Sequence, residues 1–252
     1  MVISIDISGP LERRLRRLVE LGAYPSAAEA VREAVRIFLE RYDLRELALQ
    51  TYLSREASLH YVAELAGTSI EGMIDYMLSK GVLPLLGALR EDDLTVLEGK
   101  VLLDPSALFV TYRSFLHRLL PSVPARLVLP KQLVPTAQVM EAKMVRLGIP
   151  VKSRWEQLEV ELEEEGDDNF SPLERSVLER AKELGLVVLS DDVRVRERAR
   201  REGLRAYASL SLALTAERRG ELKDVRELLM SLKAVPSLVP PELEERWTRL
   251  ER

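Results

Sequence analysis

What most constrains the fold is a set of short apolar runs, two of them ending in acids, separated from one another by helical sequence. Val101-Leu102-Leu103 ends at Asp104-Pro105-Ser106, Leu127-Val128-Leu129 ends at Pro130, and Leu186-Val187-Val188-Leu189 ends at Ser190-Asp191-Asp192. Runs of this length bounded by turn residues read as buried strands. Alternation with helical stretches, notably 172–184 and 193–202, builds a parallel sheet covered by helices on both faces. In such sheets functional residues gather at the carboxyl ends of the strands, which is where Asp104, Asp191 and Asp192 fall. Carboxylates brought together in a cleft repel one another; a divalent cation offsets that repulsion, and Mg²⁺ (or Mn²⁺) favours an all-oxygen site. Such an ion activates water and stabilises charge on a phosphodiester. A solvated surface charge is the usual fate of an acid, but Asp104 and Asp192 each terminate an apolar strand, and this favours the functional reading.

Upstream, two further segments are expected. In residues 1–44, Val2 to Ile7 alternate with period two, placing Ile3, Ile5 and Ile7 on one face of a short strand. Gly9-Pro10 ends it, and Leu11, Leu15 and Leu18 repeat at helical spacing. After a turn at Gly22 to Pro25, Ser26 with Glu29 forms a capping box for a second helix with Ala27, Ala30, Val31, Ala34, Val35 and Phe38 on its apolar face. A lone strand cannot satisfy its own edge, so two copies pairing strand to strand are expected, as a homodimer or a higher even oligomer. Residues 45–90 hold two helices across Gly67-Thr68-Ser69, the second capped by Thr68 with Glu71, in a helix-turn-helix pattern. Its exposed positions, Glu71, Asp75, Ser79 and Lys80, do not seek phosphate, and a protein-contacting or spacing role is the preferred reading. Residues 91–99 read as a linker, and 100–252 as the α/β domain.

The first segment resembles the ribbon-helix-helix fold of CopG- and Arc-like repressors. The resemblance implies operator DNA as partner, with Val2, Ser4 and Asp6 facing the major groove and Ser26 with its adjacent amide clamping a phosphate. Asp6 is a poor reader, accepting only from the cytosine amino group, and seven Arg balance seven acids here; a dimerisation handle without DNA is the alternative. Ser58 to Ser69 resembles a small family of prokaryotic helix-turn-helix antitoxins. The last segment resembles the PIN domain of VapC-type toxin ribonucleases, on Glu174 leading to Ala181, the run into Asp191-Asp192, Arg196 with Ala199, Gly203, and Gly220 to Val225. The whole thus looks like a toxin–antitoxin (VapBC-like) fusion acting on RNA. The PIN resemblance implies that Asp104, Glu174 and Asp192 hold the metal with Asp191 beside them, and that Ser209 stands where a Thr is common near the site. The chain departs from the pattern at Thr136, where a Glu is usual, and at Ala208, where a Gly is favoured; Glu141 lies further along and faces elsewhere. A catalytically dead PIN domain used for assembly is therefore the rival reading.

Two charge runs flank these acids. Glu156 to Asp168 is acidic and reads as a solvated helix or loop, the alternative being a phosphate mimic that shields the cleft. Arg194, Arg196, Arg198, Arg200, Arg201 and Arg205 crowd the sequence after Asp192. They read as a surface salt-bridge lattice, or as an RNA-backbone track with Arg194 and Arg196 nearest the site. His60 and His117 lack a second ligand at metal spacing and read as packing residues. The net charge of −4 excludes a wholesale nucleic-acid coat. The absence of cysteine excludes disulfides and thiolate metal sites. Without a signal peptide or an apolar run of spanning length, a soluble cytoplasmic protein is expected. One Asn, four Gln and abundant Arg and Glu resemble a heat-adapted (thermophile) composition.

Overall fold

The computed structural model describes residues 4–149, 151, 155–162, 169–222, 225–236 and 238–250. The chain divides into two compact units, Met1–Leu47 and Ala48–Arg252.

The first unit contains α1 (Gly9–Glu20) and α2 (Ala27–Glu40). Pro10 sits in the first turn of α1, where its missing N–H costs nothing. The Ser26 hydroxyl accepts from the Glu29 N–H at 3.2 Å, as the capping pattern predicts. The Glu29 carboxylate, however, pairs with Arg32. Among the described residues α1 buries no side chain and α2 buries only Ala30. Leu11, Val35 and Phe38 are exposed, Phe38 by 54%. Residues 4–8 carry no strand, so the strand expected over Val2 to Ile7 is not formed among the described residues. Val2 lies outside the described residues.

The second unit opens with α3 (Leu44–Arg55), α4 (Leu59–Leu65) and α5 (Ile70–Ser79), the first beginning upstream of the division. There follow β1 (Lys100–Leu103), α6 (Pro105–Arg113), β2 (Arg126–Pro130), α7 (Val134–Arg146), β3 (Glu156–Leu158) and α8 (Pro172–Leu184). Then come β4 (Val187–Leu189), α9 (Val193–Arg201), β5 (Ala206–Tyr207), α10 (Ser211–Arg218), α11 (Val225–Ala234) and α12 (Pro241–Leu250). The sheet order is β3-β2-β1-β4-β5 and every pairing is parallel. Central β1 is flanked on both sides: Leu102 stands opposite Val128 and Val188. Its apolar residues, like those of β4, are buried. The three runs read from sequence are β1, β2 and β4. The head of the acidic stretch is an edge strand, β3, rather than a solvated helix or loop. Glu156 there pairs with Lys100 and Glu159 just beyond it with Lys131, which blunts an open sheet edge. Residues 163–168 of that stretch lie outside the described residues.

The segment 45–90 is not a separate module. From Ala48 on, it joins the same unit and one continuous core: Leu49 and Tyr52 of α3, Leu59 and Val62 of α4, and Met73 and Met77 of α5 cluster with the sheet residues. The helix-turn-helix pair forms as expected, turning at Gly67 with φ 63°, but α5 is capped by Ser69 rather than Thr68. Glu71 of α5 pairs with Arg113 of α6 at 3.0 Å. Residues 91–99 are not a free linker either. Asp93 is buried and accepts from the N–H groups of Leu89 and Arg90, and Leu97 is buried. Just upstream, the Gly87 N–H donates to the Asp191 carbonyl and the Val193 N–H to that of Leu85.

Gly185 ends α8 at φ 65°, and a Cβ there would meet no atom within 4 Å. Gly185→Ala therefore tests backbone conformation alone. It is expected to lower unfolding free energy by about 1 kcal/mol in urea titrations; no change would mean the turn relaxes without cost.

Candidate active site

The strand order reverses between β1 and β4, and at that switch point the carboxyl ends of both strands open into one place. Three helices begin there, and each brings an acid on its first turn or cap. Asp104 caps α6, its Oδ1 accepting from the Ala107 N–H at 2.7 Å and the Ser106 hydroxyl at 2.8 Å. Asp192 caps α9, its Oδ1 accepting from the Arg194 N–H at 2.9 Å. Glu174 is the third residue of α8, in a capping box with Ser171: its Oε2 accepts from the Ser171 N–H at 2.8 Å, and its own N–H donates to the Ser171 hydroxyl. Asp191 joins them through its Oδ1, which accepts from the Ser209 N–H at 3.2 Å. Helix N-termini favour negative charge, so local sequence and helix polarity place these acids together.

Ser106 ties the two strand ends into one frame. Its hydroxyl donates to Asp104 and accepts from the N–H groups of Asp191 and Asp192 at 2.9 and 3.0 Å. Asp104, Glu174, Asp191 and Asp192 are at most 1% exposed. Burial pushes the Asp104 carboxyl up to about 7, with the Asp191 charge adding to it, and pushes Asp191 up to about 6 against the pull of Ser209 and Arg196. Glu174 is raised well above the carboxylate range, by burial first and then by the charges of Asp192 and Asp104. Burial raises Asp192 too, against the N–H groups of Leu59 and Arg194.

Three buried oxygens, Asp104 Oδ2, Glu174 Oε1 and Asp191 Oδ2, have no hydrogen-bond partner. An oxygen-only donor set of this kind has the chemistry of a hard divalent cation site. As they stand, no three acids among the described residues surround one point closely enough to hold an ion. Two of the remaining oxygens are taken by the chain itself: the Ser58 hydroxyl donates to Glu174 Oε2 at 2.5 Å, and the Leu59 N–H to Asp192 Oδ2 at 2.6 Å.

Of the other expected site residues, Arg194 and Ser209 touch the acids through their main-chain N–H groups, with side chains directed elsewhere, and the rest lie away from them. Arg196, expected on an RNA track, is 1% exposed and points inward, where it donates to the carbonyls of Ser190 and Gly87 and lies 3.7 Å from Asp93. Arg194 is half-buried; it donates to the Ala57 carbonyl and lies 3.9 Å from the centre of the Tyr52 ring. Ser209 is buried, its hydroxyl donating to the Ala107 carbonyl. Thr136 is exposed on α7, and Glu141 does not stand in for the missing acid: it accepts from the Tyr112 hydroxyl at 2.7 Å and from the Trp155 indole at 3.1 Å. Ala208 is buried, its N–H donating to the Asp93 carbonyl. In the first unit Ser4 and Asp6 are exposed and Ser26 caps α2. His60 lies 2.8 Å from the Ser171 hydroxyl and is pushed down to about 4 by burial; His117 stacks on Tyr112. A cleft of about 440 Å³ is lined by both signs of charge, Arg55, Arg194, Arg198 and Arg201 with Glu56, Glu197 and Glu202, and by none of the four acids.

Sequence reasoning missed Ser58, the Leu59 amide and Ser106. Ser58 is the N-cap of α4, a serine before a helical run that signals a capping role; Ser106, inside the first turn of α6, and the Leu59 amide carry no such signal.

A family model described as the PIN domain matches residues 112–250, starting within α6 and past Asp104. No curated protein and no solved structure matches the chain.

Proposed function

The chain belongs to the PIN-domain family, and from that premise we propose that its second unit is a divalent-metal-dependent endoribonuclease, carried in one chain with an antitoxin-like N-terminus. The observation that supports this reading is the burial of Asp104, Glu174, Asp191 and Asp192 at strand ends and helix starts of a parallel sheet, with three of their oxygens unpartnered. Asp104, Glu174 and Asp192, with Asp191 beside them, are the residues that would hold Mg²⁺ or Mn²⁺; when bound, the ion supplies an activated water and charge stabilisation at phosphorus. Ser106 and Ser209 keep the acids in register. The neighbouring cleft carries Arg55, Arg194, Arg198 and Arg201 together with Glu56, Glu197 and Glu202, so any RNA-backbone contact there would fall to the arginines not paired with these acids, with an affinity that falls with salt. Arg196, being buried, is no part of it.

The first unit is proposed to pair with a second copy through residues 2–7 and the exposed apolar faces of α1 and α2, and to bind an operator through Val2, Ser4, Asp6 and Ser26. The exposed Leu11, Val35 and Phe38 support pairing. No helix among the described residues is long and apolar enough to cross a membrane.

The test uses the full chain, because a fragment starting at 100 would lose the part of the core supplied by α3, α4 and α5. Mg²⁺- or Mn²⁺-dependent cleavage of RNA is expected, reduced at least ~100-fold in Glu174→Gln and unchanged in Glu141→Gln. The rival is a DNA-binding regulator with a dead PIN domain, favoured by exposed Thr136 and by the engagement of Glu141 with Tyr112 and Trp155. Absence of cleavage alongside retardation of operator DNA would replace the first reading by the second.

A further inference from the structure

We propose that residues 56–60 are an intramolecular clasp that holds the acid cluster shut and must lift before the cluster can take a cation and a phosphodiester. This rests on the nuclease reading of the same acids. Two observations on the acids carry it. Ser58 and Leu59 supply donors to Glu174 Oε2 and Asp192 Oδ2, two oxygens that a metal would need. Ala57, Ser58 and Leu59 are completely buried, so the clasp excludes water and ligand as well as filling hydrogen-bonding capacity. The clasp fills both positions at once with hydrogen bonds made directly to the acids.

The clasp is fastened at its edges by contacts that have no other evident task. The Ser58 N–H donates to the Asn169 carbonyl, the Asn169 side chain donates to the Arg55 carbonyl, and Arg194 donates to the Ala57 carbonyl. Both chain segments that meet there adopt left-handed backbone at a residue with a side chain: Glu56 at φ 54° and Asn169 at φ 59°. Asparagine tolerates that region, whereas glutamate does so at a cost. A strained residue immediately before the segment that must move lowers the barrier against opening. Arg194 thus ties the clasp to the start of α9, next to Asp192.

A ligand that binds only the open form has its affinity reduced by the fraction of molecules that are open. The test therefore measures Mn²⁺ binding by calorimetry and cleavage of a fluorescent RNA, using the full chain. Ser58→Ala is expected to bind Mn²⁺ and cleave RNA roughly five-fold better than the wild type, from loss of the hydrogen bond to Glu174. Glu56→Gly guards against a folding defect, since it relieves strain in the closed form. It is expected to shift both readouts the opposite way, by roughly three-fold. In the wild type, Mn²⁺ is expected to speed hydrogen exchange in residues 55–61. If Mn²⁺ binds the wild type and both variants equally, with Asp104→Asn abolishing binding in each, the clasp is overturned and the nuclease reading survives. If none of them binds Mn²⁺ or cleaves RNA, both fall.

Discussion

Asp104→Asn is expected to make the metal-free protein more stable at pH 8 while abolishing any metal-dependent cleavage. Asp104 is fully buried, with a carboxyl pushed up to about 7 from 3.8. A folded-state value above the unfolded one means that the protonated acid favours folding below 3.8. This stabilisation declines as pH rises and is gone once pH has passed through 7. At pH 8 the wild type carries a buried charge whose cost, at about 1.4 kcal/mol per unit, reaches roughly 4 kcal/mol as an upper bound. Asparagine keeps the Oδ1 acceptor for Ala107 and Ser106 and places a donor where Oδ2 has no partner. Calorimetry in a chelator is expected to show the variant unfolding roughly 5–10 °C above the wild type at pH 8, and no such advantage at pH 4. A variant less stable than the wild type at pH 8 would show that the site does not carry the strain of a buried charge. The same substitution removes a proposed metal ligand, so stability and cleavage move in opposite directions, as expected for a functional site rather than a structural one.

Arg196→Ala is expected to do the reverse, lowering stability by about 3–5 kcal/mol in urea titrations without any direct contact with substrate. The guanidinium is buried beneath the end of β4 and satisfies the carbonyls of Ser190 and Gly87. Burial drives the Asp93 carboxyl up, but Arg196, Arg200 and two main-chain N–H groups more than offset this and hold it below its usual value. Removing Arg196 strips two buried carbonyls of their donor and leaves Asp93 with Arg200 as its remaining charged partner. It also loosens the strap at 85–93, which lies along Asp191 and Val193. A loss below about 1 kcal/mol would mean that water reaches these groups and takes over the role of Arg196.

Much of the second unit could be read directly from the chain. The runs before Asp104 and Asp191 are apolar on both faces, as a strand covered by helices on both sides must be, and they form β1 and β4 as expected. Glu174 came from resemblance, and the capping box with Ser171 explains its position. The edge strands escaped notice: β3 holds Glu156 and Gln157, and β5 is two residues long, so neither has the apolar signature of a central strand. Arg194 and Arg196 look alike in a run of arginines. Two positions along a helix separate them by more than half a turn, and this turns Arg196 into the interior.

The sequence by itself determined the local elements: which stretches are helical, which apolar runs pair as central strands, and which acids stand at strand ends or helix starts. Each follows from periodicity and capping chemistry within a few residues. Tertiary structure alone decided that the apolar faces of α3, α4 and α5 complete the core of the α/β unit, and that Ser58 and the Leu59 amide reach Glu174 and Asp192. An amphipathic face announces that it will be buried but not against what, and a main-chain N–H is the same at every residue until the fold brings an acceptor to it.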